Sequence, residues 1–592
     1  MVETESRTKM ESPARTGELG DRGWWIRPST GAVLVVLVAV AVHANTLLNG
    51  FVYDDLHQVL EDPRIRSLSG LPDIFSSGVW SFKWGPSSYY RPMMQLSYLL
   101  TYQLAELTPW AYHLVNVLLN AGASLALYAL ALRVLADDRQ TALPGAAVAA
   151  LVFAVHPLHT EAVAWIAAVA DLQLALYGLL AVLLYLRALD GGRWAYAGAL
   201  ICHALALLSK EPAAAFPAIL LAVDLLWSPS RSLRNAAIRL MPFVLLTVAY
   251  FVVRKAVLGG VAPPGLHGEV GAATAWMTAV YYLGHYLRSC VWPFPLNALY
   301  EFQPVRSPLD PRLLLSVLMC CAVVGVVVGF RRDRRVLLAA LLLTVPLAPA
   351  LYIPGLGAGG LAERYMYLPL AGFSLGVGVL WMAARRRWGR TVIAPLSLGL
   401  LVTAAATASA SRNAVWKDEE TLWSDTVVKS PGSAIAHEFL GYGYFLNGKL
   451  EEAIAESRTA LELDPRRTTA RINLGATLLA LGRYEQAAAE YRTALEQGST
   501  MLEARVGLGL ALVNLASYAE ARYHLESAIA MNPGYATVHD ALGVACANLG
   551  DFRAAEAAFA EAVELDPATR GYRDHLEAAR RDRTRTQGRT AE

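Results

Sequence analysis

The chain has 592 residues, 55% hydrophobic and 17% charged, with a mean hydropathy of +0.36 and a formal net charge of +2. A soluble domain carries about 25% charged residues, so a purely soluble protein is excluded, and the near-neutral charge balance gives no basis for a nucleic-acid partner. The five cysteines (Cys202, Cys290, Cys320, Cys321 and Cys546) show no CxxC spacing, which argues against a thiolate zinc site or a disulfide framework.

Residues 1–29 are polar and predict a disordered cytoplasmic tail. About eleven apolar stretches then predict membrane spans at roughly 30–48, 112–135, 143–156, 170–187, 194–209, 212–227, 238–258, 312–330, 335–352, 364–384 and 391–410. Every second connection is basic: Arg133, Arg187 with Arg193, Arg231 with Arg234 and Arg239, Arg331 with Arg332, Arg334 and Arg335, and Arg385 with Arg386 and Arg387. Positive charge stays on the cytoplasmic side, so the N-terminus is expected inside and, after an odd number of spans, the C-terminal part outside. Residues 274–292 are apolar enough to span. Counting them would send Arg331–Arg335 outside, so 259–311 reads as one outer loop with an interfacial helix rich in Trp and Tyr.

The outer connections collect the chemistry. Asn49-Gly50-Phe51-Val52-Tyr53-Asp54-Asp55 places two adjacent carboxylates directly after the first span, and Tyr90-Arg91-Pro92 follows in the same loop. Acids at a bilayer boundary call for a partner, a metal or a proton to move; solvated loop acids are the alternative. Next come His156-Pro157-Leu158-His159-Thr160-Glu161 with Asp171, Ser209-Lys210-Glu211, and Glu363-Arg364-Tyr365. A His-x-x-His with proline between is a poor zinc signature. Lys210 reads equally as a snorkelling side chain and Arg364 as an interfacial anchor. What separates these residues from ordinary boundary residues is that all four groups fall on one face.

The C-terminal part repeats. Pro431, Pro465, Pro533 and Pro567 share a 34-residue grid, as do Gly441, Gly475, Gly509 and Gly543, and two alanine series from Ala453 and Ala460. That period is the tetratricopeptide pattern of paired helices. Residues 412–432 form a linker and half-repeat, 433–568 four repeats, and 569–592 a capping helix and charged tail. Such an array offers a groove for an extended polypeptide.

The order of these motifs resembles the transmembrane and tetratricopeptide-repeat (TMTC) proteins: Phe51–Asp55, Tyr90–Pro92, His113–Asn116, His156–Ala164, Ser209–Glu211, Ala362–Pro369, Arg412-Asn413 and Trp416, then repeats. The resemblance implies an all-α protein with a polytopic, GT-C-like catalytic bundle (30–411) followed by a tetratricopeptide α-solenoid. It implies O-mannosyl transfer from a polyprenyl-phosphate donor to Ser or Thr of an acceptor protein on the extracytoplasmic side, with Asp54 and Asp55 as the catalytic acids. Richness in Ala and Arg and scarcity of Lys suggest a GC-rich bacterium, hence an inner membrane, or the ER membrane in a eukaryote.

The expected roles are then as follows. One of Asp54 and Asp55 is the general base; its neighbour raises its pKa, orients the acceptor or holds a divalent cation, the one cofactor considered. Arg91, Lys210 and Arg364 face the donor phosphate. His156, His159, Glu161, Asp171, Glu211, Glu363 and Tyr365 complete the donor and acceptor sites, and the repeats hold the acceptor. The rival readings are a membrane-anchored tetratricopeptide scaffold and a lipid-linked glycan polymerase or ligase.

Overall fold

The computed structural model describes residues 28–84, 89–136, 139–260, 269–356, 360–388, 393–498 and 501–590; the expected N-terminal tail, with its arginines, lies outside them up to residue 27. Every predicted span is occupied by a helix. Numbering helices longer than ten residues in chain order, the membrane part comprises α1 (Pro28–His43), α2 (Pro92–Ala105), α3 (Pro109–Val134), α4 (Arg139–Val155), α5 (Val169–Leu189), α6 (Arg193–Ser209), α7 (Phe216–Trp227), α8 (Leu233–Leu258), α9 (Ala272–Val291), α10 (Pro311–Gly329), α11 (Arg334–Thr344), α12 (Pro369–Trp388) and α13 (Ile393–Asn413). Six helical segments among the described residues are long and apolar enough to cross a membrane unaided. A seventh is added if Ala142–Val155 and Pro157–Ala164, bent by 51° at His156, count as one. The chain is a multispan helical membrane protein.

Close helix approach uses small residues, as expected where lipid provides no hydrophobic drive between helices. A Cβ on Gly378 of α12 would stand 2.6 Å from the Gly145 carbonyl of α4, and one on Gly372 2.3 Å from the Ala339 carbonyl of α11. Leu127, Phe153, Leu179, Phe216 and Tyr367 fill the core between them, all fully buried.

The two ends of the bundle differ chemically. Arg231, Arg331, Arg332, Arg334 and Arg335 line one surface depression, and Arg386 and Arg387 line its neighbour with Arg335. Lys210 and Arg254 lie at the opposite ends of α6 and α8. At 1.5 Å per residue, Arg254 is roughly 35 Å from Arg231. Helix α9 lies at the Lys210–Arg254 end: its Thr278 hydroxyl accepts from Val305 N–H (2.9 Å) and its Tyr286 hydroxyl accepts from Ala362 N–H (3.3 Å).

After α13 the chain forms α14 (Glu419–Lys429) and then four antiparallel pairs: α15 (Ala434–Leu446) with α16 (Leu450–Leu463), α17 (Thr468–Ala480) with α18 (Tyr484–Glu496), α19 (Leu502–Asn514) with α20 (Tyr518–Met531), and α21 (Ala536–Asn548) with α22 (Phe552–Leu565). Helix α23 (Arg570–Thr590) caps them. The glycine grid has a packing cause. A Cβ at Gly441, Gly475, Gly509 or Gly543 would lie within 2.9 Å of Ser457, Tyr491, Leu525 or Phe559 on the partner helix. Ala453, Ala487, Ala521 and Ala555 are fully buried at the same seams. The turn between paired helices repeats too: Gly448, Gly482 and Gly550 have φ of 72°, 73° and 81°, and Ala516 takes the same left-handed position at 56°.

Candidate functional site

The acid pair is set by what surrounds Tyr53. The chain leaves α1 tied to the foot of α13: Asn413 donates to the Val42 carbonyl (3.0 Å), and Asn49 donates to the Asn413 carbonyl (3.1 Å). Gly50 N–H then donates to the Lys417 carbonyl (2.8 Å). Tyr53 has φ 56°, an uncommon conformation for a bulky residue, which persists only where neighbours enforce it. Its N–H donates to Glu419 Oε1 at the start of α14. Its ring stacks on Trp165 (5.4 Å) and meets Trp423 and Phe439 edge-on (both 5.2 Å).

The next two residues consequently diverge. Asp55 turns into the protein, 0% exposed, and its two oxygens accept from Val52 N–H (3.2 Å) and Ala167 N–H (2.8 Å). It is a brace between the first loop and the turn before α5. Asp54 stays half-buried. Burial lifts its carboxyl to about 6, against the opposing pull of Arg364, His57 and Arg91. A carboxylate raised toward neutrality, yet ionised at pH 7, suits a general base. Among the described residues no three His, Cys, Asp or Glu side chains cluster as a metal site, and both Asp55 oxygens are already engaged.

Arg91 and Arg364, whose charges act on the Asp54 carboxyl, line a cavity of about 260 Å³. Four cations reach it from four segments: Arg91 before α2, Lys210 at the end of α6, Arg254 near the end of α8, and Arg364 in the turn Glu363–Met366. They are held by three carboxylates. Lys210 Nζ donates to both Asp171 oxygens (2.5 and 2.6 Å), Arg91 (3.0 Å) and Arg254 (2.8 Å) share Glu211, and Arg364 binds Glu161 through its guanidinium and its backbone N–H (2.8 Å). Burial lowers the Lys210 ammonium to about 8 despite the Asp171 carboxylate against it. Two guanidinium groups on one carboxylate leave positive charge unneutralised, and Arg91 Nε is buried without a partner among the described residues. The Tyr365 ring lies under both Lys210 (5.3 Å) and Arg364 (5.1 Å). The remaining wall is apolar, including Phe251 of α8, Pro346 and Pro349 after α11, and Leu368.

Of the residues singled out in the sequence, Arg91, Asp171, Lys210, Glu211, Arg364 and Tyr365 therefore line one chamber, with Glu161 behind Arg364. His156 does not reach it: one ring nitrogen contacts the Cys290 carbonyl (3.0 Å), and the other accepts from Leu158 N–H (3.3 Å) to start the next turn. His159 is fully buried between Phe153 and Tyr367, at 4.4 and 4.3 Å. Glu363 points to the far side of its turn, accepting from Asn297 N–H (2.5 Å) and the Tyr300 hydroxyl (2.9 Å), and burial raises it to about 7. Sequence reasoning missed Arg254, which reads as a snorkelling cation, and Glu419, which reads as the acid favoured at any helix N-terminus.

These pairings predict different outcomes for two arginines. Arg364→Ala leaves the 1%-exposed Glu161 without its counter-charge, at a cost of about 3–5 kcal/mol of stability. Arg91→Ala leaves Glu211 paired with Arg254, so a folded protein with weaker anion binding is expected. Thermal unfolding of the two variants side by side checks this; equal stability would mean Glu161 does not depend on Arg364.

Family models described as tetratricopeptide repeats match residues 444–506 and 536–569. Over 453 residues the chain is 27% identical to the protein O-mannosyl-transferase F38B6.6 of Caenorhabditis elegans, covering 73% of this chain and 63% of that protein. It is 27% identical over 513 residues to the human protein O-mannosyl-transferase TMTC1, covering 77% and 57%. Against human TMTC2 it is 33% identical over 183 residues, covering 29% and 21%. The chain spans about half to three-fifths of the length of the curated relatives that match most of it. These relatives are animal proteins, which does not bear out the expected bacterial source. The acid-led first loop, the order of the motifs, the multispan bundle, the repeat array and these similarities agree: the chain is similar to the transmembrane and tetratricopeptide-repeat protein O-mannosyl-transferases.

Proposed function

We propose that the chain transfers a sugar, mannose by analogy with its relatives, from a polyprenyl-phosphate donor to a Ser or Thr hydroxyl of an acceptor polypeptide. The observation that carries this is a chamber in which four cations, Lys210 and Arg254 buried and Arg91 and Arg364 half-buried, meet an apolar wall, with Arg91 and Arg364 also acting on the nearby Asp54 carboxyl. A phosphate suits the cations, a lipid chain suits the Phe251, Pro346 and Pro349 wall, and the sugar between them would lie toward Asp54. A scaffold needs no such chamber.

In the proposed step the acceptor oxygen attacks the anomeric carbon from the face opposite the phosphate. Asp54 takes the hydroxyl proton as the new C–O bond forms. The bond from anomeric carbon to phosphate oxygen breaks, and its electron pair leaves on the polyprenyl phosphate, giving inversion. Charge growing on that phosphate meets Arg91 and Arg254, with Lys210 and Arg364 adjoining, all positioned before reaction begins. The groove of the tetratricopeptide array would hold the acceptor near the site.

The test is transfer from polyprenyl-phosphate mannose to a Ser/Thr peptide by the detergent-purified chain. Arg91→Ala should raise the donor KM about 10- to 100-fold, the loss of one charge-assisted hydrogen bond of about 1.5–3 kcal/mol, with acceptor KM unchanged. An unchanged donor KM would remove the phosphate from this chamber.

The raised Asp54 carboxyl sets a pH limb. A base must be unprotonated, so kcat/KM should hold above pH ~6 and fall about tenfold per unit below it. The pH profile of kcat/KM checks this, and a profile flat down to pH ~4 would exclude Asp54 as base.

Asp54 and the repeats are proposed to share the extracytoplasmic side. The basic depression at Arg231 and the chamber lie at opposite ends of the same helices, and the repeats pack against the chamber end through Trp423 and Phe439. An impermeant thiol reagent should label Glu485→Cys and not Ser230→Cys in intact cells. The reverse pattern would invert the topology.

A further inference from the structure

The turn Glu363–Met366 has a cavity on each side. Arg364 and Tyr365 line the first; Glu363 bonds to Asn297 and Tyr300, which line the second. This second cavity holds about 360 Å³ and lies between α9, the segment 295–303 and the joint Lys429–Gly432 that leads into the first repeat. None of the proposed transfer chemistry uses it.

Three polar atoms of its lining have no hydrogen-bond partner among the described residues: the Tyr282 hydroxyl, Asn297 Oδ1 and Glu301 Oε1. Tyr282 is 1% exposed and Asn297 5%. Folding does not leave such atoms unpaired without reason. Elsewhere these side chains are fixed: Asn297 Nδ2 donates to the Ser430 hydroxyl (2.8 Å), and Glu301 Oε2 accepts from Gln303 (3.4 Å). The rings of Tyr281, His285 and Tyr300 form a continuous edge-to-face series along the wall, with centroids 6.3 and 5.7 Å apart.

This chemistry selects its occupant. Lys429, the cation of the lining, is held by both oxygens of Asp425 (2.6 and 2.7 Å), and Glu301 contributes a negative charge, so an anion is disfavoured. An apolar guest would leave all three polar atoms unpaired. A hydroxyl-rich ring satisfies the set: its O–H groups donate to Asn297 and Glu301, an oxygen accepts from Tyr282, and its C–H face lies on the aromatic rings. The volume is ample for one hexose.

We propose that this cavity is a non-catalytic site for one neutral pyranose already attached to the acceptor polypeptide. Attachment to an acceptor rests on the transfer reading above; pyranose binding does not. The position suits that ligand, since the cavity shares a wall with the chamber on one side and opens at the joint with the first repeat on the other. A sugar seated here would hold a glycosylated chain beside the chamber for a further transfer.

The test is binding of methyl α-D-mannopyranoside and of a Ser-mannosylated peptide to the full chain in detergent, followed by saturation-transfer NMR without donor. Saturable binding is expected in the parent and in Asp54→Asn, and about tenfold weaker binding in Tyr282→Phe and Glu301→Gln, one hydrogen bond being worth about a decade. Tyr282→Phe removes only an unpartnered hydroxyl. Should it fail to fold, the half-buried Glu301→Gln gives the same readout. Absence of saturable binding, or equal binding in the parent and both cavity variants, overturns the site. If the free glycoside binds while the glycopeptide does not, the assignment to an acceptor-linked sugar falls. Because no transfer is measured, an inactive enzyme that still binds the pyranose leaves the site standing, and an active one that does not overturns it.

Discussion

Replacing Asp54 with asparagine is expected to lower kcat about 10²-fold or more at neutral pH while leaving the protein at least as stable to thermal unfolding. The side chain keeps its shape and loses only the capacity to take a proton. It is half-buried, and burial holds its carboxyl near 6, so asparagine also removes an unfavourable buried charge. The neighbouring acid should respond differently. Asp55 satisfies two backbone N–H groups, and an asparagine oxygen satisfies one of them while its NH2 faces the other. Asp55→Asn should therefore cost about 1–3 kcal/mol of stability, and its activity should fall because the first loop is no longer braced against Ala167. Turnover and unfolding of both purified variants separate the two roles. Near-parental kcat in Asp54→Asn would end its assignment as base. Full stability in Asp55→Asn would mean that the two backbone bonds contribute little.

The difference between these adjacent acids shows where the sequence was legible. A repeat writes the same packing problem every 34 residues, so glycines facing Tyr491, Leu525 and Phe559 appear as a grid without any structure. The placement of Arg91, Lys210 and Arg364 near one another followed from topology, since alternating connections must share a face. The separation of Asp54 from Asp55 depends on the left-handed backbone of Tyr53, which is enforced by Glu419, more than 360 residues away in the chain. Local sequence carries no trace of that contact. His156 and His159 show the converse: their spacing looks chemical, but the bend after α4 turns one into a helix-starting acceptor and the other into core. Charge type alone does not distinguish Arg254, which lines the chamber, from Lys255 beside it; a helix face decides between them.

The junction with the repeats should be the most consequential place to cut the chain. Trp416, Trp423 and Phe439 pack with Trp165 and Tyr53, and Glu419 bonds both the Tyr53 N–H and Trp423 Nε1 (2.5 Å). Helices α14 and α15 are thus part of the support for the acid loop, although their sequence belongs to the repeat array. Ending the chain before Asp418 removes the partner that holds Tyr53 at positive φ, and turnover with a short peptide should fall at least about 100-fold, as for loss of the base itself. Ending it after Leu463 keeps α14, α15 and α16 and removes three repeats. That shorter protein should retain kcat with a short peptide and lose use of a long acceptor through a higher KM, because a tethered acceptor has an effective concentration of about the millimolar range. The measurement is kcat and KM for both acceptors in both truncations, after thermal unfolding shows that each membrane part remains folded. Equal kcat in the two truncations would show that α14 does not position Asp54. An unchanged long-acceptor KM in the shorter cut would show that the distal repeats do not hold the substrate.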